Sequence, residues 1–443
     1  MTSLSVLLLA TAAATGAAPF RAVDRPPVPA IEGAPGARAP RASGPRATGV
    51  VPDAPLTLAE AVRLGRERSP FRAAAAAVAD GARRAAGLAG RLPNPWLELR
   101  SENWTPGGGD AGDPDLDSFA VVTAPIELGG KRAARRAVGA AAQGVADADL
   151  SRADREAALT VAEHYVEAVR ARDLAILLAQ QRTSAADLAQ VMRRRVEEGY
   201  TPEADLRKFE AELSRVDTQL LRARLALDRA ISTLAVLLGE PDTLDSGRLV
   251  EPPLPTPVRG DVALLAAGAV DRHPEVLAAR TRVEQARSQL ALERAKAVPD
   301  LAVSGGYKRT AGTDTGVVAL SFPIPLRDRN QPALTRADAD LRAAALELDG
   351  VERLARAEVE SMLRRAVALQ ERAVRVERDF LQPAEVVRTA AQAAFREGGG
   401  DVLRLVDAER VYLEAGRDAL DLKLDAVVAC LRVRLALGQE IVP

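Results

Sequence analysis

Along most of this 443-residue chain the apolar positions recur with helical spacing, and in four short places they switch to strand spacing. Residues 57–92 and 261–298 read as helical stretches of similar length, each followed by proline. After the first, Leu97 and Leu99 alternate with Glu98, Arg100 and Glu102. After the second, Leu301, Val303 and Tyr307 alternate with Asp300, Ser304 and Lys308, then Val318, Leu320 and Phe322 with Val317, Ala319 and Ser321. Such period-two alternation predicts strands with one apolar face over 96–104, 117–125, 300–309 and 315–323. Very long helical patterns follow each pair of strands, over 128–198 and 332–397, and a glycine break leads to a last helix, 202–238 and 401–437.

The chain is therefore a duplication. Ser69-Pro70 corresponds to His273-Pro274, Pro95 to Pro299, and Pro125-Ile126-Glu127-Leu128 to Pro323-Ile324-Pro325-Leu326. Farther on, Gly199 matches Gly398, Leu206 matches Leu405, Glu210 matches Glu409, and Leu238-Gly239 matches Leu437-Gly438, all at one separation of 199 residues. The predicted fold class is mainly α with a small β part, built from two helix–β-hairpin–long helix units at 56–240 and 261–443, with a linker at 241–260. A helix over 128–198 is about 105 Å long, and its returning partner covers about half of that. Stacking 202–238 end to end on 261–298 matches the long helix. The first helix, 57–92, then fills the same place for the second unit.

Four strands cannot close a membrane barrel, which needs at least about eight, and an open edge in lipid leaves backbone groups unpaired. If the strands enter a membrane, several chains share one barrel, and three chains supply twelve strands. The strand segments hold five of the thirteen aromatic residues, Trp96, Trp104, Phe119, Tyr307 and Phe322, which predicts a membrane girdle. Strand patterns alone favour soluble hairpins capping a coiled coil. Duplication, length matching and an export signal favour the barrel.

That signal is the apolar run from Leu4 to Ala14, followed by the small residues Thr15-Gly16-Ala17-Ala18, which predicts a signal peptide over 1–18. Residues 19–55 are rich in proline, glycine, alanine and arginine and read as a flexible extension. No later apolar run reaches about 20 residues, so no spanning helix is expected.

Composition narrows the chemistry. Lysine plus arginine (60) nearly cancel aspartate plus glutamate (61), leaving no excess charge for nucleic acid. One cysteine and two histidines, His164 and His273, far apart in sequence, offer no metal cluster. Gly129-Gly130-Lys131 shares residues with a phosphate-binding loop, but Pro125 and Arg132 stand where that loop needs glycine and serine or threonine. No nucleophile and base stand at a recognisable spacing. Neither an enzyme, a cofactor nor a bound metal is expected.

The order of these features, with PIELGGKRAARRA after the second strand and the helix turns EEGYTPEADLRKFEAEL and REGGGDVLRLVDAERVYLEA, resembles the TolC family of trimeric outer-membrane efflux ducts. The resemblance covers about 56–438. It implies a homotrimer whose strands form a shared twelve-stranded barrel in outer-membrane lipid, with an α-helical tunnel in the periplasm. It also implies a periplasmic adaptor (membrane fusion protein) and an inner-membrane resistance–nodulation–division pump as partners. By position, Gly199-Tyr200-Thr201-Pro202 and Gly398-Gly399-Gly400-Asp401 are the tunnel-tip turns where an adaptor docks. Relatives often carry acidic residues six and nine positions after the second turn's glycine. Here those positions hold Arg404 and Asp407, so a plain acidic ring is in doubt. The segment PIELGGKR is similar to the cobalt–zinc–cadmium branch, and the lack of an early cysteine implies no lipid anchor. A soluble periplasmic coiled-coil scaffold or adaptor is the alternative reading.

Overall fold

The computed structural model describes residues 54–103, 117–240, 244–256, 260–310 and 312–441. The signal, nearly all of the extension, and Trp104 lie outside these residues.

The first helical stretch is two helices, α1 (Leu58–Arg68) and α2 (Pro70–Leu88), rather than one. Its counterpart is likewise split into α5 (Val262–Val270) and α6 (Pro274–Lys296). The cause is proline, which pushes the preceding residue out of the helical region. Ser69 and His273 have ψ 119° and 128°. The Ser69 hydroxyl then caps α2 by accepting from Arg72 N–H at 3.3 Å.

Between them, β1 (Trp96–Glu102) and β2 (Asp117–Ile126) precede α3 (Lys131–Glu197) and α4 (Glu203–Leu237). The second unit continues with β3 (Leu301–Thr310), β4 (Thr313–Ser321), α7 (Gln331–Val376), α8 (Gln382–Glu397) and α9 (Val402–Ala436). Both long helices start behind a left-handed residue, Gly130 at φ 76° and Asn330 at φ 65°. Helix α3 runs 67 residues unbroken, about 100 Å. The second long helix is interrupted, contrary to expectation, by a π turn at Glu377–Leu381. Pro383 sits just beyond that turn and has no N–H to close the regular ladder.

The helices stack within each unit, not across the linker as the lengths alone suggested. At the end of α4 the Leu238 carbonyl accepts from the Arg68 guanidinium, which also pairs with Glu240 at 3.1 Å, so α4 abuts the α1–α2 junction. At the end of α9, a Cβ on Gly438 would lie 2.8 Å from the Arg272 carbonyl, so α9 abuts the α5–α6 junction. Helix α3 packs on α2 and α4 on one side and on α6 and α9 on the other, and α7 packs beyond α6 and α9.

At the midpoint of α3 the linker and both ends of the described chain meet in one core. Leu56 bridges in parallel to Leu249, and both pack with Val161, Tyr165, Leu234, Leu424 and Ile441. The buried Tyr165 hydroxyl is 2.6 Å from the Leu56 carbonyl and 2.7 Å from the Val250 carbonyl, and accepts from Val250 N–H at 2.9 Å. One side chain of α3 thus ties down backbone that would otherwise be buried without partners.

Candidate functional site

Two regions hold the residues that the sequence singles out: the glycine turns at the far ends of α3 and α8, and the four-stranded sheet.

Both turns are Schellman closures. Gly199 (φ 79°) donates to the Val196 carbonyl at 3.0 Å, and Tyr200 N–H to Arg195 at 2.8 Å. Gly398 (φ 95°) donates to Phe395 at 3.3 Å, and Gly399 N–H to Ala394 at 3.0 Å. Helix α4 then follows Pro202, and α9 follows Asp401, whose carboxylate accepts from Leu403 N–H at 3.2 Å. Thr201, between turn and helix, is half-buried, and Tyr200 is left exposed.

The fold brings the two turns side by side. Leu188, Met192, Leu206, Phe209, Phe395, Val402 and Leu405 form one core from both units. Arg195 lies over the Phe395 ring at 4.8 Å and donates to the Arg396 carbonyl at 3.3 Å, bracing one turn against the other. Sequence reading missed Arg195. Its signal was a basic residue in the last turn of a helix, where it also suits the helix dipole. It missed as well the buried Glu409 carboxylate, which accepts from Gln181 of α3 at 2.8 Å and Gln392 of α8 at 2.5 Å. Arg404 and Asp407 are both exposed on α9 and do not pair with each other within the chain.

The sheet has strand order β1-β2-β3-β4, all antiparallel, so β1 and β4 are its edges. Cross-strand partners share a face. One face therefore carries Leu97, Leu99, Val122, Val303, Tyr307, Val318 and Leu320, and is apolar and exposed. The other carries Glu98, Arg100, Glu102, Asp117, Thr123, Ser304 and Lys308. On that charged face Phe119 lies between Arg100 at 4.6 Å and Lys308 at 4.9 Å, and Thr123 is hydrogen bonded to Ser304 at 2.8 Å.

The register divides the residues of the expected aromatic girdle between the two faces. Trp96 pairs with Thr123 and Phe119 with Lys308, which places both on the charged face. Tyr307 lies on the apolar face, and the exposed Phe322 follows the end of β4. Tyr307 stands near the β3–β4 turn and Phe322 just past the opposite end of β4, about 20 Å away along the strands.

Comparison with known proteins agrees with this architecture. The sequence profile of the family described as outer membrane efflux protein matches residues 63–240 and 265–439, one segment in each unit. The cobalt-zinc-cadmium resistance protein CzcC of Cupriavidus metallidurans is 28% identical over 372 residues, covering 82% of this chain and 85% of that protein. The nickel and cobalt resistance protein CnrC of the same organism is 28% identical over 280 residues, 60% of this chain and 64% of that one. Among solved structures, the outer membrane protein VceC of Vibrio cholerae superposes with a TM-score of 0.71 at 22% identity, over 87% of this chain and 96% of its own. With both units matched in order and the fold shared, this chain belongs to the outer membrane efflux protein family.

Proposed function

We propose that three copies of this chain form one passive outer-membrane duct of a tripartite efflux system, fed by a periplasmic adaptor and an inner-membrane resistance–nodulation–division pump, with divalent heavy-metal cations as cargo. The observation that carries the oligomer is an unfilled place in the duplication. Leu424 of α9 is 0% exposed in the core on α3, while its counterpart on α4, Leu225, is 60% exposed. Leu221 and Val236 on the same helix are exposed too, although Leu420 and Leu435, at their positions in α9, are packed in that core. Helix α4 therefore lacks a long helix on the side where α9 has α3. The α7 of another copy supplies it, because α7 is the repeat counterpart of α3.

The same closure joins β4 of one copy to β1 of the next and removes both sheet edges, as lipid demands. The apolar face then meets lipid between Tyr307 and Phe322, and the charged face turns inward. The paired glycine turns form the tip on which the adaptor docks, with Arg404 and Asp407 at its constriction. The cargo rests on the metal-resistance relatives.

Fractionation and susceptibility test the reading together. The mature protein is expected in outer membranes as a trimer, and its loss is expected to sensitise cells to cobalt, zinc, cadmium or nickel. A monomer in the soluble periplasm would favour the scaffold alternative instead. Outer-membrane trimers without any metal phenotype would retain the duct and discard the cargo.

A further inference from the structure

The two returning helices carry matching stripes of opposite sign. Taking α4 and α9 position by position at the repeat separation, Asp205 corresponds to Arg404, Lys208 to Asp407, Arg215 to Glu414 and Arg222 to Asp421. Glu210 and Glu409, and Arg224 and Lys423, keep their sign, whereas these four pairs are reversed in charge. On each helix the last three are spaced seven residues apart, which keeps them on one line along a packed helix. All eight are exposed except the half-buried Asp205. Among the described residues Arg215 pairs with Glu212, and Asp421 with Arg170 at 2.7 Å; the other six make no ion pair there.

The stripes belong to helices that approach each other past α3. Arg417 of α9 donates to Gln219 of α4 at 3.0 Å. Burial, and then the nearby Arg215, hold the Arg417 guanidinium below its ordinary value. The stripe on α9 continues to Asp425, which faces the groove between α3 and α7, whereas Lys423, about 200° around the helix from Asp421, pairs with Glu251 of the linker at 2.6 Å. The stripe therefore lies on the side of α9 turned away from the linker layer.

We infer that these stripes line the tunnel as charge-matched partners and set its ion selectivity. The inference rests on the trimeric duct proposed above. Around a ring of three copies, α4 and α9 alternate, so each level presents three cationic and three anionic side chains. A ring of one sign focuses counterions and selects by charge. Alternating rings cancel within about 10 Å, the screening distance at moderate salt. The lower tunnel thus passes ions of either sign, and selection of cargo falls to the pump.

Single-channel recording of the purified full-length protein in planar bilayers, under a KCl gradient, tests this. The unaltered protein is expected to show a cation-to-anion permeability ratio near one. Lys208→Glu with Arg215→Glu makes two levels of the stripes acidic on all six helices and is expected to raise that ratio severalfold. Asp407→Lys with Glu414→Lys is expected to lower it severalfold. Combining all four substitutions exchanges the stripes and is expected to bring the ratio back near one. Because all four positions are exposed, trimer formation serves as the folding check, and Lys208→Glu alone is the milder variant.

Unchanged ratios in both double variants would show that the stripes do not line the pathway, overturning the inference while leaving the duct intact. A combined variant no nearer one than its parents would overturn the pairing of the stripes. No conductance from the unaltered protein would bring down the duct reading, and this inference with it.

Discussion

Gly400 lies against Phe395. A Cβ built on Gly400 would stand 2.7 Å from the Phe395 backbone nitrogen and 2.9 Å from its Cα, closer than real Cβ contacts come. The neighbouring Gly399 has nothing within 4 Å of such an atom. Two adjacent glycines in one turn thus differ in what they require.

Gly400→Ala is accordingly expected to destabilise the tip by about 1–3 kcal/mol, because the clash is with backbone that must shift. Gly399→Ala is expected to be silent. Gly398→Ala is strained differently, through a left-handed φ of 95°, at about 1–2 kcal/mol. Limited proteolysis at the tip, compared across the three variants, reads the order. Equal resistance in Gly399→Ala and Gly400→Ala would contradict it.

Leu424 and Leu225 separate folding from assembly. Leu424→Ala empties a place in the core on α3 and is expected to cost about 2–5 kcal/mol of subunit stability. Leu225→Glu leaves the isolated subunit within about 0.5 kcal/mol, since the site is exposed there. It is expected to abolish crosslinked trimers. Normal trimers with Leu225→Glu would refute the place assigned to α7 of the neighbour.

Tyr165→Phe keeps the packing of the ring and removes only the hydroxyl. The Leu56 and Val250 backbone groups it serves then lose a buried partner, at about 1–3 kcal/mol. A denaturant midpoint lowered without change of slope is the expected result, with the Leu56–Leu249 bridge exchanging hydrogen faster.

His273 predicts a pH dependence. Burial pushes its imidazole below the ordinary value, against the attraction of Glu358 and Glu275 and with the opposing charge of Arg155. With the folded value depressed, the unfolded chain binds the proton more readily. Its contribution is therefore fully present above about pH 6.5 and lost as pH falls through the lower folded value. His273→Asn is expected to flatten that acid-side decline in thermal melting between pH 7 and pH 5. A decline of unchanged steepness would remove His273 as its cause.

The duplication, the glycine turns and the four strands were legible in the sequence because each rests on local physics. Gly199 and Gly398 mark helix ends since only glycine takes the left-handed conformation without strain. Strand alternation follows from side chains pointing to opposite faces in turn. The helix breaks at Ser69 and His273 were also local, since each precedes a proline, yet length matching hid them by treating each stretch as one rod.

Tertiary structure decided what depends on who sits opposite whom. Pairing register, not aromatic content, sent Trp96 and Phe119 to the charged face and left Tyr307 with the apolar set. The Arg68 contact to the end of α4 decided that each unit stacks on itself, a choice that equal helix lengths cannot make. Arg195 on Phe395, and Gln181 on Glu409, join residues about 200 or more positions apart. Periodicity along a chain reports the shape of each element and which face is apolar. It is blind to partners that only packing brings within reach.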